Sequence, residues 1–225
     1  MAIYDCSVEA ALLTGMRLAR AAIGRGELVV IPTDTVYGVA ADAFNPAAVA
    51  RLLEAKGRDR TAPPPVLIAG VETLDALAET VPDEVRALAA EFWPGGLTII
   101  LPARDSLAWD LGETRGTVAL RVPSNRVALE LLAETGPLAV SSANLTGQPA
   151  AMTAAEAHRM LGDSVAVYLD DGDAGVAYAG FEAGTGSTIV DATALVRESG
   201  KLRIVRSGVI GDAAIRAIVG ADKCA

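Results

Sequence analysis

Leu28-Val29-Val30-Ile31-Pro32-Thr33-Asp34-Thr35-Val36-Tyr37-Gly38 is the stretch on which the fold turns. Its first four residues are apolar and three are β-branched, so they read as a short buried strand. The strand runs into a turn that carries two threonine hydroxyls, one carboxylate and a closing glycine. Such a turn is a poor way to build a core and a good way to hold a polar ligand. Two more polar clusters follow strand-like runs: Arg121 after Val118-Ala119-Leu120, and Ser141-Ser142-Ala143-Asn144 after Leu138-Ala139-Val140.

The flanking chain alternates helix and strand patterns. Ser7 to Arg25 predicts an opening helix with Ser7 as N-cap and apolar residues at helical spacing, stopped by Gly24 and Gly26. Asn45-Pro46 is a strong helix start, Asn as N-cap and Pro in the first turn, and that helix ends near Lys56-Gly57-Arg58. A proline-rich loop (59–65) leads to a strand at 66–69 and helices at 71–79 and 82–92. Strands are expected at 97–101, 117–122, 138–140, 165–169, 187–191 and 202–205. Further helices are expected at 124–135, around His158, and at 211–219. The loop 104–116 holds an exposed-looking Trp109. The Gly- and Asp-rich segment 170–186 is long for a compact domain, a property of lids and linkers. Without a strict βαβ rhythm, the pattern predicts one domain over residues 1–225. Its class is α/β (α+β by some schemes), with one mixed sheet flanked by helices.

Composition excludes several chemistries. Among 225 residues there is one histidine, His158, and the two cysteines, Cys6 and Cys224, stand near opposite ends. Ser-His-Asp and Cys-His catalysis, histidine-rich metal sites, a zinc site and a disulfide framework are therefore disfavoured. His158 itself reads as a solvated or capping residue of a surface helix. No apolar run reaches the roughly 18 residues needed to span a membrane. The N-terminus has no basic region of the signal-peptide type, so a cytoplasmic location is expected. The net charge of −9 and the lack of a dense Lys/Arg block make direct tRNA binding doubtful.

The polar clusters each admit two readings. Lys56 and Arg58 either neutralise a helix C-terminus or grip a polyphosphate. Arg121 either pairs with a structural carboxylate or meets an anion. Ser141 to Gly147 is either a simple turn or a row of donors at a strand end, where open sheets bind ligands. Gly184-Thr185-Gly186 before a strand admits backbone contact with a phosphate, and Arg206 adds a cation at another strand end. No P-loop and no dinucleotide fingerprint occurs. No pair of carboxylates stands out. Asp34 and Asp191 are the best single candidates, and both read first as structural. Hydroxyls and cations without bases suit a reaction run by positioning and charge neutralisation, as in phosphoryl or nucleotidyl transfer.

Seven segments together resemble the YrdC/Sua5 family of L-threonylcarbamoyladenylate synthases. They are IPTDTVYGVAADAFNP (31–46), EAKGR (54–58), FWPGGLTIIL (92–101), VALRVPSN (118–125), VSSANLTGQPA (140–150), GSTIVD (186–191) and IVRSGVI (204–210). They span residues of about 9 to 219. The resemblance implies a YrdC/RibB-like domain with a twisted mixed sheet and a positive cavity. It implies synthesis of threonylcarbamoyl-AMP and pyrophosphate from L-threonine, bicarbonate or CO2, and ATP with Mg2+. That product serves t6A37 modification of tRNA, through a tRNA threonylcarbamoyl transferase complex. By position it assigns Lys56 and Arg58 to the ATP phosphates and catalysis, and Thr117, Asn144 and Arg206 to ATP. Thr35, Arg121, Ser142 and Ser187 fall on threonine contacts. No protein metal ligand is implied. Two departures stand out: Leu67 occupies the place of a threonine-contacting histidine found in many members, and the chain stops before the extra C-terminal domain of longer members. Competing functions are a paralogue that adenylates another carbamate or carboxylate, and an RNA-binding module without chemistry.

Overall fold

The computed structural model describes residues 2–225. Ten strands form one mixed sheet in the order β1-β8-β2-β3-β7-β4-β6-β5-β9-β10. They are β1 (Ile3–Asp5), β2 (Val29–Ile31), β3 (Gly38–Asp42), β4 (Val66–Leu67), β5 (Leu97–Pro102), β6 (Thr117–Arg121), β7 (Leu138–Ser142), β8 (Val167–Asp170), β9 (Thr188–Asp191) and β10 (Arg203–Arg206). The helices are α1 (Glu9–Gly24), α2 (Pro46–Ala55), α3 (Leu74–Leu77), α4 (Asp83–Phe92), α5 (Arg126–Thr135), α6 (Ala154–Leu161) and α7 (Asp212–Val219). Among the described residues, no helix is long and apolar enough to cross a membrane.

Side-chain alternation explains both the core and the cavity. In β2, Val29 and Ile31 pack with residues of α1 and α5, while Val30 packs with residues of α2 and α6 on the other face. This half of the sheet is covered twice, which is why its strand reads as an unbroken apolar run. The other half is covered once. Leu97, Ile99 and Leu101 of β5 and Val118 and Leu120 of β6 join a core with α3, α4 and α7. Their alternates, Thr98, Ile100, Thr117, Ala119 and Arg121, face away from that core and line a cavity.

Several expectations need correction. Ser7 does not cap α1: its amide and hydroxyl both donate to Asp5 Oδ1 (2.9 and 2.6 Å), and Val8 takes the cap position. The expected helix at 71–79 is a 3-10 turn (Val71–Thr73) followed by the single-turn α3. Strand β1 and strand β3 have no counterpart in the sequence reading. The Gly-Val-Ala-Ala-Asp of β3 is poor in strand formers and is held instead by pairing with β2 and β7. Gly38 is required there, because a Cβ would lie 2.5 Å from Val140 Cγ1. Ser141 and Ser142 do not form a turn; they end β7 opposite Val39 and Gly38. Trp109 is half-buried and stacks on Phe44 with ring centroids 5.4 Å apart. His158 is likewise half-buried, edge-on to Tyr168 at 4.9 Å. Asn45 does cap α2, its Oδ1 accepting from Ala47 and Ala48 N–H at 3.1 Å each.

Candidate active site

The uncovered sheet face, the turn after β2 and the loops after α2 and before β9 enclose a cavity of about 340 Å³. Three arginines, Arg58, Arg121 and Arg206, line it, together with Thr35, Thr117, Ser141, Ser142 and Ser187. No Asp or Glu lines it among the described residues. A second, shallower cavity of about 430 Å³ is built from Lys56, Arg58, Ser142, Asn144, Thr146 and neighbouring loop residues. Arg58 and Ser142 belong to both, so the two form one continuous site.

The turn after β2 is organised by its own hydroxyls. Thr33 Oγ1 donates to Val36 O (2.5 Å) and accepts from the amides of Thr35 and Val36 (3.2 Å each). Thr33 is thereby used up. Thr35 Oγ1 accepts from Arg121 Nη1 (3.1 Å) and donates to Thr33 Oγ1 (3.2 Å), whose own proton goes to Val36 O. Arg121 is pinned on three sides: Nε donates to Gly95 O (2.9 Å), Nη2 to Asp34 Oδ1 (2.8 Å), and Nη1 to Thr35. The first reading of Arg121 is the one observed. It pairs with a structural carboxylate, and it lines the cavity. Asp34 is that carboxylate. It also accepts from Ser124 N–H (3.0 Å) and from Tyr178 Oη (3.2 Å), which engages both of its oxygens. It ties the turn to the end of β6, and it is not placed as a base.

Lys56 ends α2 and is buried at 3 % exposure. Its Nζ donates to the carbonyls of Ser142 and Asn144 and, at 3.5 Å, to Asn144 Oδ1. Asn144 Nδ2 donates to Leu145 O and Gln148 O (2.9 and 2.7 Å), which fixes the amide orientation and turns its oxygen toward the ammonium. Burial, and then the Arg58 charge, lower the Lys56 pKa to about 8. Arg58 makes one side-chain bond, Nη1 to Ser141 Oγ at 3.1 Å. The reading of these two cations as neutralisers of a helix end is thus incomplete, since both turn into the site.

On the opposite wall, Arg206 donates to Ser187 O from Nε and Nη2 (3.1 and 2.7 Å) and to Ser187 Oγ (3.1 Å). Ser187 Oγ also meets Thr98 Oγ1 at 2.8 Å. Burial, Arg121 and Arg58 all push Arg206 below its ordinary pKa. Thr117 Oγ1 donates to Thr114 O at the cavity edge (2.7 Å). Among the described residues, none of Lys56, Arg58 and Arg206 has a carboxylate within ion-pair distance. Lys56 is buried, Arg58 half-buried and Arg206 exposed; uncompensated cations beside one cavity repel one another, and an anionic ligand relieves that repulsion.

The nine residues that the family resemblance assigned all come to this site: Thr35, Lys56, Arg58, Thr117, Arg121, Ser142, Asn144, Ser187 and Arg206. Leu67 is there as well, an apolar wall residue at 3 % exposure. Asp191 is elsewhere in role: it accepts from Thr193 and Arg203 at a turn. Sequence reasoning missed Thr33, Thr98 and Tyr178. Thr98 was legible as a polar residue alternating with apolar ones in β5. Tyr178 lies 144 residues from Asp34 in a loop of irregular composition, and no local signal marks it.

Comparison with known proteins places the chain among relatives of the same fold. The Sua5/YciO/YrdC family model, described as telomere recombination, matches residues 21–208. A Mycobacterium tuberculosis protein, provisionally named threonylcarbamoyl-AMP synthase, is 45% identical over 219 residues, covering 97% of this chain and 95% of its own. The threonylcarbamoyl-AMP synthase of Bacillus subtilis is 37% identical over 195 residues, 86% of this chain and 56% of its own. A solved structure of P. abyssi Sua5 complexed with L-threonine superimposes with a TM-score of 0.84 at 31% identity, over 98% of this chain and 61% of that one. With the family match covering most of the sheet and every cluster at the cavity, the chain belongs to the Sua5/YciO/YrdC family.

Proposed function

We propose that this protein is an L-threonylcarbamoyladenylate synthase. The observation that carries the reading is a cavity with three arginines and, among the described residues, no acidic one in its wall, continuous with a second cavity that adds the buried Lys56 and one exposed carboxylate, Asp59. Both reactants of the committing step, a carbamate and a nucleoside triphosphate, are anions, and such a site lowers the cost of bringing them together. The names carried by the mycobacterial and Bacillus relatives, and the threonine bound to the archaeal one, support the same reading.

The chemistry follows from the groups present. L-Threonine sits with its carboxylate toward Arg121 and beside Thr35, with Ser142 and Ser187 alongside. Its free amine attacks CO2, forming an N–C bond and releasing one proton; from bicarbonate, water leaves instead. A carbamate oxygen then attacks the α-phosphorus of ATP, and the Pα–O bond to pyrophosphate breaks. Lys56 and Arg58 hold the triphosphate and take up charge on the leaving pyrophosphate. Arg206, Thr117 and Asn144 hold the rest of the nucleotide. The carbamate is itself the nucleophile, so the step needs no histidine and no protein base. Mg2+, when bound with ATP, supplies further neutralisation of phosphate oxygens. Among the described residues no cluster of three His, Cys, Asp or Glu side chains is suited to hold a metal, and Asp34 is fully engaged, so this ion fits as a passenger of the nucleotide.

The mixed anhydride product is hydrolytically labile. A tRNA threonylcarbamoyl transferase complex consumes it in the cytoplasm, for t6A37. The net charge of −9 favours handing over the small molecule without direct tRNA binding. The test is pyrophosphate release with labelled ATP, bicarbonate and threonine. Threonine-dependent release with a threonylcarbamoyl adduct is expected, and release independent of threonine would overturn the assignment in favour of another carbamate or carboxylate.

A further inference from the structure

The loop between β8 and β9 carries a group that none of the site assignments uses. Tyr178 is half-buried, and its hydroxyl reaches into the cluster behind Arg121. The direction of both its hydrogen bonds is fixed by chemistry. Gly96 N–H can only donate, so it donates to Tyr178 Oη at 2.7 Å. Asp34 is acceptor-only when ionised, so Tyr178 donates to Asp34 Oδ2 at 3.2 Å. The other oxygen of Asp34 receives Arg121 Nη2 and Ser124 N–H. Tyr178 thus completes the coordination of the carboxylate that aims the arginine.

The surrounding backbone is shaped to admit this hydroxyl. A Cβ on Gly96 would lie 3.0 Å from Tyr178 Oη and 2.2 Å from Val209 Cγ2, and one on Gly95 would lie 3.2 Å from the same oxygen. The loop is seated at other points too. Gly175, at φ +76°, brings its backbone against the turn, where a Cβ would meet Thr35 O at 3.1 Å. Tyr37 Oη donates to Gly172 O (2.6 Å) and accepts from Asp171 N–H (3.0 Å). Farther along, Gly184 and Gly186 of the same segment form part of the cavity wall. Outside, Val176 and Phe181 are exposed, so little apolar burial holds the segment down. Its seating rests largely on polar contacts to the turn that carries Thr35.

We propose that Tyr178 is a positioning residue for the amino-acid subsite: by locking Asp34 it keeps Arg121 directed at Thr35, and it couples docking of the 171–186 segment to occupancy of that subsite. The inference rests on the synthase reading for the identity of the ligand. Removing only the hydroxyl, Tyr178→Phe, frees Asp34 to rotate and Arg121 to follow. The effect belongs to the amino acid, because Tyr178 contacts neither Lys56 nor Arg58.

The experiment is steady-state kinetics of pyrophosphate release with threonine and ATP varied separately, in wild type and Tyr178→Phe. It is paired with limited proteolysis of segment 171–186 with and without threonine. Loss of one hydrogen bond to a charged partner predicts a threonine KM raised about tenfold, with kcat and the ATP KM within about twofold. Threonine should slow cleavage of the segment in wild type and lose that effect in the variant. An unchanged threonine KM overturns the inference, and so does an equal rise in both KM values, which marks a general loosening of the fold. A wild-type enzyme whose pyrophosphate release ignores threonine overturns the synthase reading itself, a result distinct from either.

Discussion

Lys56→Met tests the proposed placement of the Lys56 charge on the nucleotide phosphates. In the free protein the Lys56 ammonium is buried at 3 % exposure, and burial and Arg58 hold its pKa down from 10.5 to about 8. A triphosphate placed against Lys56 and Arg58 favours the ammonium and returns its pKa toward the ordinary value. At pH 8 about half of the free lysine is neutral, so binding takes up about half a proton per site; at pH 7 the uptake falls to about a tenth. The sign for affinity follows. ATP affinity should fall as pH rises above about 8, by up to about tenfold per pH unit. Titration calorimetry at pH 8, in two buffers of different ionisation enthalpy, measures the uptake directly. Subtracting the Lys56→Met result removes ionisations of ATP itself. No uptake in wild type at pH 8, or equal uptake in the variant, would refute the placement of Lys56 on the phosphates. The same depressed pKa affects folding. Between about pH 8 and 10.5 the unfolded chain binds the extra proton, so this group's contribution to stability rises with pH across that window.

Other perturbations separate binding from architecture. Arg58→Ala should weaken ATP binding by about 10- to 100-fold, the worth of a charged hydrogen bond, with an unchanged circular dichroism spectrum, because its one side-chain bond is to Ser141. Asp34→Ala strands Arg121 in a site where both side chains are below 10 % exposed, and should cost about 3–5 kcal/mol in denaturant unfolding; a loss under 1 kcal/mol would mean that the pair is not structural. Gly96→Ala forces a Cβ against Val209 and Tyr178 and should lower stability by about 1–3 kcal/mol, measured by the thermal midpoint. Asn45→Ala removes a cap with two amide donors and should cost about 1 kcal/mol without altering activity.

Residues with a local signature were read correctly from the chain. Asn45-Pro46 opens a helix because cap geometry is decided within three residues. The apolar runs of β2, β5 and β6 announce strands because period and composition are properties of a short window. Motif order along the chain was sufficient to identify the family, and it pointed to some of the residues that line the cavity. Expectations failed where a distant partner prevails over local preference. Strand β3 has little strand propensity and exists because β2 and β7 lie on either side of it. Ser7 yields its capping role to a nearer contact with Asp5.

The sequence by itself determined the inventory: one histidine, few lysines, hydroxyls and arginines at strand ends, and hence a chemistry of positioning and charge. Tertiary structure alone decided how those groups are employed. It placed Asp34 on Arg121, 87 residues away, and so converted a candidate base into a fixed counter-charge. It brought Tyr178 onto the same carboxylate from a loop with no legible motif. Among the described residues, it left Arg58 and Arg206 without carboxylate partners at ion-pair distance beside one cavity. The physical reason is that which charges are neutralised, and which stay free for an anionic ligand, depends on distances across the sheet, and sequence spacing does not encode those distances.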